Sequence, residues 1–558
     1  MSLSNQQQEI VNAGLLGLGP VVVKAGPGSG KTHTVVSVIK SHLETGVAPQ
    51  DVIAITFTRR AARELKERLG KSGRKVRAST IDSLCLDIIQ HSFPGTKPLS
   101  PFCAWIVFQV CCDACGVKAS PAKMEMMNRM RDFAYTGRPC EPGWDELEPV
   151  CELYEQTLAS SKYADYLWIM LRAVWTLMSN KWHGRCRLLI VDEAQDTSSV
   201  QWELVNRLAA RTGAQLVVVG DMNQNIYSWR GAAPEMFQDL ANSDHSIPKP
   251  LKQSYRCSPK IVRASNALIA LNPDAEADVE AMRIGAFDPV HVSSDIPELE
   301  VARILEGLYA PHDIAVLCRT NRTVNQVARG LQEMGIKANA VHSQESSVGF
   351  LAAAGLFGID RDNAVHQILF KSTGSSVGFQ ISGADSDLMI ASLMQQKNGV
   401  PVFKFLCQCQ DKQVLFAEAI KELKDVPEFR SHTEKLIERF GGFSVEDAFQ
   451  QILAPAEVEE SIGAVTVSTI HQAKGLEWPV VVVADLKEGV FPSKKSAKSE
   501  QGIIEERRLM YVAMTRAKDV LVLCKDSQYP SQFVFPEEFY NAEEISGLGQ
   551  TAIREAGW

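Results

Sequence analysis

The chain has 558 residues, more than one hydrophobic core supports, so several domains are expected. With 22% charged and 45% hydrophobic residues it is an ordinary globular sequence. It shows no membrane-length apolar run and no signal-peptide pattern in MSLSNQQQEI, and its thirteen scattered cysteines read as reduced thiols of a cytoplasmic protein. A net charge of −8 excludes a uniformly basic exterior, but not a motor that grips nucleic acid in an interior groove.

In chain order, the first informative element is the apolar run 20–25. It is followed by the turn Ala25-Gly26-Pro27-Gly28-Ser29-Gly30-Lys31-Thr32 and by a helical stripe of Val35, Val36, Val38, Ile39 and Leu43. Strand, glycine loop and helix is the setting of a Walker A loop. Backbone N–H groups can curl around phosphates there, and the helix N-terminus favours negative charge. Lys31 is expected to reach the β- and γ-phosphates of ATP, and the Thr32 hydroxyl to ligate Mg²⁺.

Residues 186–191 (CRLLIV) predict a hydrophobic strand that ends in Asp192-Glu193-Ala194-Gln195-Asp196. Carboxylates at the carboxyl end of a buried strand lie where an open α/β sheet binds its ligand. Asp192 is expected to hold Mg²⁺, and Glu193 to orient and deprotonate the attacking water. Together the two loops imply ATP hydrolysis, without saying what the energy drives.

The next strand, 216–219 (LVVV), leads into Gly220-Asp221-Met222-Asn223-Gln224-Asn225-Ile226-Tyr227-Ser228-Trp229-Arg230-Gly231-Ala232. This stretch resembles the third motif of the UvrD/Rep/PcrA helicases of superfamily 1, and the A-x-x-G-x-G-K-T form of the phosphate loop is similar to theirs. The resemblance implies that Gln224 touches the γ-phosphate and the attacking water. It also implies that Tyr227 and Trp229 offer aromatic faces to single-stranded DNA, with Arg230 adding charge. Stacking suits a motor because every base has a π-face.

Further motifs follow in the family's order. Gln7 matches the glutamine that reads adenine. Residues 54–62 (AITFTRRAA) match a DNA-facing segment with Phe57, Thr58 and Arg59 as candidate contacts, and 78–84 (ASTIDSL) occupy the next one. Many relatives have His where this chain has Asp82, so Asp82 receives no role. In 251–258 (LKQSYRCS) the resemblance implies that Tyr255 stacks on adenine and that Arg256 enters the γ-phosphate site. Residues 313–321 (DIAVLCRTN) match a further stretch. In 469–477 Glu477 is implied to accept the ribose hydroxyl, and His471 to couple the DNA track to ATP. In 506–517 Arg516 is implied to be a second arginine finger. One departure is His33, where relatives often carry an arginine near adenine.

The implied fold class is α/β. Two RecA-like P-loop motor domains are expected, 1A over 1–92 and 181–250 and 2A over 251–345 and 456–558. Helical insertions are expected at 93–180 (1B) and, in reduced form, at 346–455 (2B). The implied activity is 3′-to-5′ translocation on single-stranded DNA and unwinding of 3′-tailed duplex, with ATP and Mg²⁺ as cofactors and no membrane. The short 2B region makes translocation the firmer expectation and leaves room for a protein partner, a nuclease or a loading factor. That region and Asp82 are similar to the helicase-like subunit of Gabija anti-phage systems. A nucleotide- or DNA-sensing module without turnover is the other reading, although Lys31, Asp192, Glu193, Gln224, Arg256 and Arg516 are all intact.

Six cysteines, Cys103, Cys111, Cys112, Cys115, Cys140 and Cys151, fall in the 1B region. Four thiolates would suffice for an iron–sulfur cluster. The helical spacing of Cys111, Cys112 and Cys115 among apolar residues reads instead as buried thiols without a cluster. The run Lys494–Lys498 reads as a solvated loop.

Overall fold

The computed structural model describes residues 3–534, apart from 137–142, 229–230, 277–278, 284–289, 294–295, 308, 341–345, 378, 382–385, 397–398, 412–413, 425, 427–428 and 453–462. It divides into two compact units. One comprises Met1–Leu84, His183–His342 and Glu457–Trp558; the other comprises Cys85–Trp182 and Ser343–Ala456.

The first unit holds two six-stranded parallel sheets. Sheet one contains β1 (Val21–Ala25), β2 (Val52–Thr56), β3 (Arg77–Thr80), β4 (Leu188–Val191), β5 (Gln215–Gly220) and β6 (Ile247–Leu251), in the order β3-β2-β4-β5-β1-β6. Sheet two contains β7 (Val290–Ser293), β8 (Ile314–Cys318), β9 (Ala338–Ala340), β10 (Val465–Thr469), β11 (Trp478–Leu486) and β12 (Ala517–Lys525), in the order β7-β12-β11-β8-β10-β9. The central strands read VIAIT, LLIV and IAVLC and are buried throughout, as parallel strands covered on both faces require. These are the two RecA-like α/β layers expected from the motifs.

The sheets share a local device. After β2, Thr58 accepts the Ala61 N–H at 3.1 Å and caps the helix Arg59–Leu69. After β8, Thr320 accepts the Thr323 N–H at 3.3 Å and caps the helix Asn321–Glu333. A threonine in extended conformation satisfies one orphan N–H of the first turn and fixes where each strand stops. Sheet one also carries the helix Asn5–Leu16, whose Ser4 and Gln7 form a reciprocal capping box.

The second unit is helical, and residues from both inserted stretches enter one hydrophobic core, from Leu99, Phe108 and Tyr154 to Phe350, Phe405 and Phe449. At its centre runs the helix Ser346–Ile359, whose residues 350–358 are all buried. A helix apolar on every side has to be surrounded. Phe357 stacks on Phe370 at 4.2 Å, and Phe350 lies 5.4–5.9 Å from Phe370, Phe379 and Phe429. Gly355 permits this packing, since a β-carbon there would stand 1.9 Å from the Phe449 ring. The main buried ionic group here is paired. Asp165 takes both Arg131 Nη1 (2.6 Å) and Nη2 (3.0 Å) and the Tyr154 hydroxyl (2.9 Å), while capping the helix Tyr166–Met178.

Cys103, Cys111 and Cys112 are part of this core, and burial pushes each thiol up to about 11. Cys140 lies outside the described residues. Among the described residues no cluster of three metal-ligating side chains occurs, and no helix is long and apolar enough to cross a membrane.

Candidate active site

The phosphate loop leaves β1 and enters the helix Lys31–Glu44 with Gly28 and Gly30 in left-handed conformation, at φ +69° and +82°. Its first turn is tied by Ser29 Oγ to the Gly26 carbonyl at 2.8 Å. Gly28 is a close-approach position: a β-carbon would stand 2.4 Å from Arg256 Cβ, and the Gly28 carbonyl accepts the Tyr255 N–H at 2.8 Å. The segment expected to stack on adenine and enter the γ-phosphate site therefore lies directly on the loop. Gln7, buried, donates to the Ser29 carbonyl at 3.4 Å, and Tyr255 is exposed. Ala25, Pro27 and Thr32 take their places along the same loop and helix start.

Four carboxylates converge on Lys31. Its Nζ lies 4.0 Å from Asp221 Oδ2. Asp192 and Glu193 follow β4, with Glu193 at φ +55°, a strained conformation for a side chain that size. Burial, reinforced by Glu193, pushes the Asp192 carboxyl up. Burial acts the same way on Glu193, but Lys31, Lys474 and Arg516 outweigh it and hold Glu193 ionised. The carboxyls of Asp196 and Asp221 rise to about 7 and about 6, burial being the main cause.

Gln195, given no role by sequence reading, organises the cluster. Its Nε2 donates to Glu193 Oε2 at 2.7 Å, and its Oε1 accepts the Asp221 N–H at 2.9 Å. One buried amide thus joins the loop after β4 to the loop after β5. The signal was present in its position two residues past the carboxylate pair.

Three cations come from the chain beyond β6. Arg516 is fully buried; its Nη2 donates to Gln224 Oε1 at 3.0 Å and its Nη1 to the Leu476 carbonyl at 3.2 Å. Burial, with Arg256 close by, brings its guanidinium down to about 10. Arg256 pairs with Glu477, whose other oxygen meets Lys518 Nζ at 2.9 Å. Burial would raise Glu477, but Arg256 and Lys518 prevail and hold it at about 2. The carboxylate expected to meet ribose is thus engaged on both oxygens. Lys474, unassigned in the sequence, is the third cation. It pairs with Asp196, donates to the Gln224 carbonyl at 2.6 Å and sits 5.2 Å from the centre of the Tyr227 ring.

On the expected DNA side one correction is needed. Tyr227, read as an open stacking face, is only 6% exposed. Phe57 stacks on it at 5.0 Å, Lys474 covers it, and its hydroxyl donates to the His471 carbonyl at 3.0 Å. Phe57, 38% exposed, carries the open face of the pair. Its neighbour Thr58 caps the following helix, and Arg59, the first residue of that helix, is exposed. The His471 ring lies 6.1 Å from Tyr227, and the link onward to Asp196 and Gln224 runs through Lys474. Trp229 and Arg230 lie outside the described residues.

The donor set fits a magnesium ion. The Thr32 hydroxyl and the Asp192 carboxylate are oxygen donors of the type that ion takes, and the half-buried Asp192–Glu193 pair carries negative charge a divalent cation would offset.

An AAA-domain family model matches residues 7–230, and the model of the UvrD-like helicase C-terminal domain matches residues 388–528. These matches make the chain similar to UvrD-like helicases at its C-terminal part and to AAA domains at its N-terminal part. It is 27% identical to the ATP-dependent DNA helicase Rep of Escherichia coli K12, over 96% of this chain and 93% of that protein. It is 26% identical to the ATP-dependent DNA helicase PcrA of Bacillus subtilis, over 90% of this chain and 80% of that protein. A probable DNA helicase II homolog of Mycoplasma genitalium is 24% identical, over 97% and 87%. The C-terminal match starts inside the helical unit and ends just after β12, so it spans both kinds of structure.

Proposed function

We propose that the chain is an ATP-dependent DNA helicase that moves 3′-to-5′ along single-stranded DNA, with Mg²⁺ at Thr32 and Asp192. The observation that supports this best is the Arg516–Gln224 hydrogen bond, 3.0 Å long and buried, between a guanidinium of one sheet and the amide that follows the phosphate loop's neighbouring strand in the other. Hydrolytic groups completed only when two domains meet make chemistry depend on closure, and closure is movement.

Each residue then has a role. The phosphate loop from Ala25 to Thr32 and Lys31 hold the triphosphate, and Gln7 and Tyr255 flank the base. Glu193 Oε2 is held by Gln195, which leaves Oε1 to take the proton of the attacking water. When phosphates draw Lys31 and Arg516, Glu193 loses part of the field that keeps its basicity low. Magnesium, when bound, neutralises charge on the phosphoryl group. Arg256 and Arg516 stabilise the charge that develops as it transfers. Phe57 offers its face to a base, and Lys474 carries the state of the Phe57–Tyr227 pair to Asp196 and Gln224.

Strand displacement from duplexes with a 3′ or a 5′ single-stranded tail tests the direction. Preference for the 3′ tail is expected; unwinding of the 5′-tailed duplex alone would overturn it.

A further inference from the structure

The helical unit carries an aromatic and cationic stripe that no step above uses. On the helix Tyr166–Met178, Trp168, Arg172 and Trp175 fall at i, i+4 and i+7 and share a face. The other side of the helix is sunk through Ile169, Ala173, Val174 and Leu177, whereas these three residues are only half-buried. Phe93 completes the face, edge-on to Trp168 at 5.2 Å and 6.0 Å from Trp175. The Arg172 guanidinium lies 5.2 Å from the centre of the Trp168 ring and 5.7 Å from that of Phe93; Lys181 Nζ lies 4.3 Å from the centre of Trp175. Rings and cations alternate, each cation held in place by a ring.

The charge of this region is one-sided. The chain has 66 Asp and Glu residues, yet within this unit none occurs in 88–112 or in 166–182, where Arg172 and Lys181 lie. Asp165, just before the helix, is buried against Arg131. Two half-buried tryptophans beside cations, in stretches of sequence free of carboxylates, suit a partner that is anionic and has flat apolar faces. A single strand of nucleic acid has both, in phosphates and bases.

We propose that Phe93, Trp168, Arg172, Trp175 and Lys181 form a second single-stranded DNA site, bases stacking on the rings while phosphates meet the two cations. The proposal rests on the reading of the chain as a DNA motor.

The test uses the full chain and oligothymidine, with affinity followed by fluorescence anisotropy and tryptophan quenching. Trp168→Ala with Trp175→Ala is expected to weaken binding on the order of tenfold or more and to remove most of the quenching. Trp168→Phe with Trp175→Phe, which keeps a ring at each place and guards against misfolding, is expected to retain most of the affinity. Arg172→Gln with Lys181→Gln is expected to flatten the salt dependence of binding by roughly one to two ions. The binding arm reads this proposal, and the effect of oligothymidine on ATP hydrolysis by the unaltered chain reads the motor. Unchanged affinity and quenching in the alanine variant would overturn the site even where hydrolysis responds to DNA. So would a variant that keeps DNA affinity but loses a protein partner, because the stripe would then be a protein interface.

Discussion

The two units bury different things. The motor unit takes Asp196, Asp221, Lys474 and Arg516 out of water, with Asp192 and Glu193 half-buried beside them, and Asp196 Oδ1 has no hydrogen bond. The helical unit buries phenylalanines, and its main ionic group, Arg131 with Asp165, is paired on both oxygens and closed by Tyr154. Buried charge without full compensation costs stability, so its presence marks where a charged ligand is awaited. Buried aromatics need no ligand, and a unit built from them can serve as scaffold.

That contrast can be broken by dissociating activity from stability. Arg516→Lys, which keeps a buried cation but loses the planar fork that bonds Gln224 and the Leu476 carbonyl, is expected to lower the turnover number for ATP by about 10³-fold or more while moving the melting temperature less than a core truncation does. Steady-state hydrolysis beside a thermal melt checks both. Phe357→Ala should do the reverse: it opens a cavity in the stack with Phe370 and costs about 3–5 kcal/mol by denaturant unfolding, with hydrolysis retained in the folded fraction. Phe57→Ala, which removes the open ring over Tyr227, is expected to weaken oligothymidine binding by about 1–3 kcal/mol without touching DNA-free hydrolysis.

The smallest effect is a divergence with pH. Asp196 rises to about 7 in the folded chain, so the fold binds a proton there that the unfolded chain releases near 3.8, and this contribution to stability falls as pH rises from about 4 to 7. His366, buried against Tyr163 and the Asp360 carbonyl, is brought down to about 4 by burial, so its contribution is lost as pH falls from 6.5 to about 4. Hydrogen exchange at pH 5 and 7.5, corrected for intrinsic rates, should therefore show β4 and β5 relatively better protected at pH 5, and the helix Ala364–Ser376 at pH 7.5. Parallel changes would contradict both assignments.

Much of the motor unit was legible because its function is local in sequence. The glycines before Lys31 and the apolar run before Asp192 specify strand, loop and helix within a dozen residues. Lys474 and Gln195 were harder to read, because their roles exist only once β10 and β5 bring Asp196, Gln224 and Tyr227 within reach. The covering of Tyr227 by Phe57 joins residues 170 positions apart, and the aromatic motif is the same whether its ring is open or closed. In the helical unit the run in Ser346–Ile359 announces a buried helix. Nothing in its periodicity says that the core around it also takes in Phe108 and Tyr163, from the earlier inserted stretch.

The central claim is that ATP hydrolysis by the motor unit is driven by a single strand. ATP turnover by the full chain, measured with and without saturating oligothymidine at fixed salt, tests it most directly. The account predicts strong stimulation by the single strand; turnover that is the same with and without DNA would contradict it.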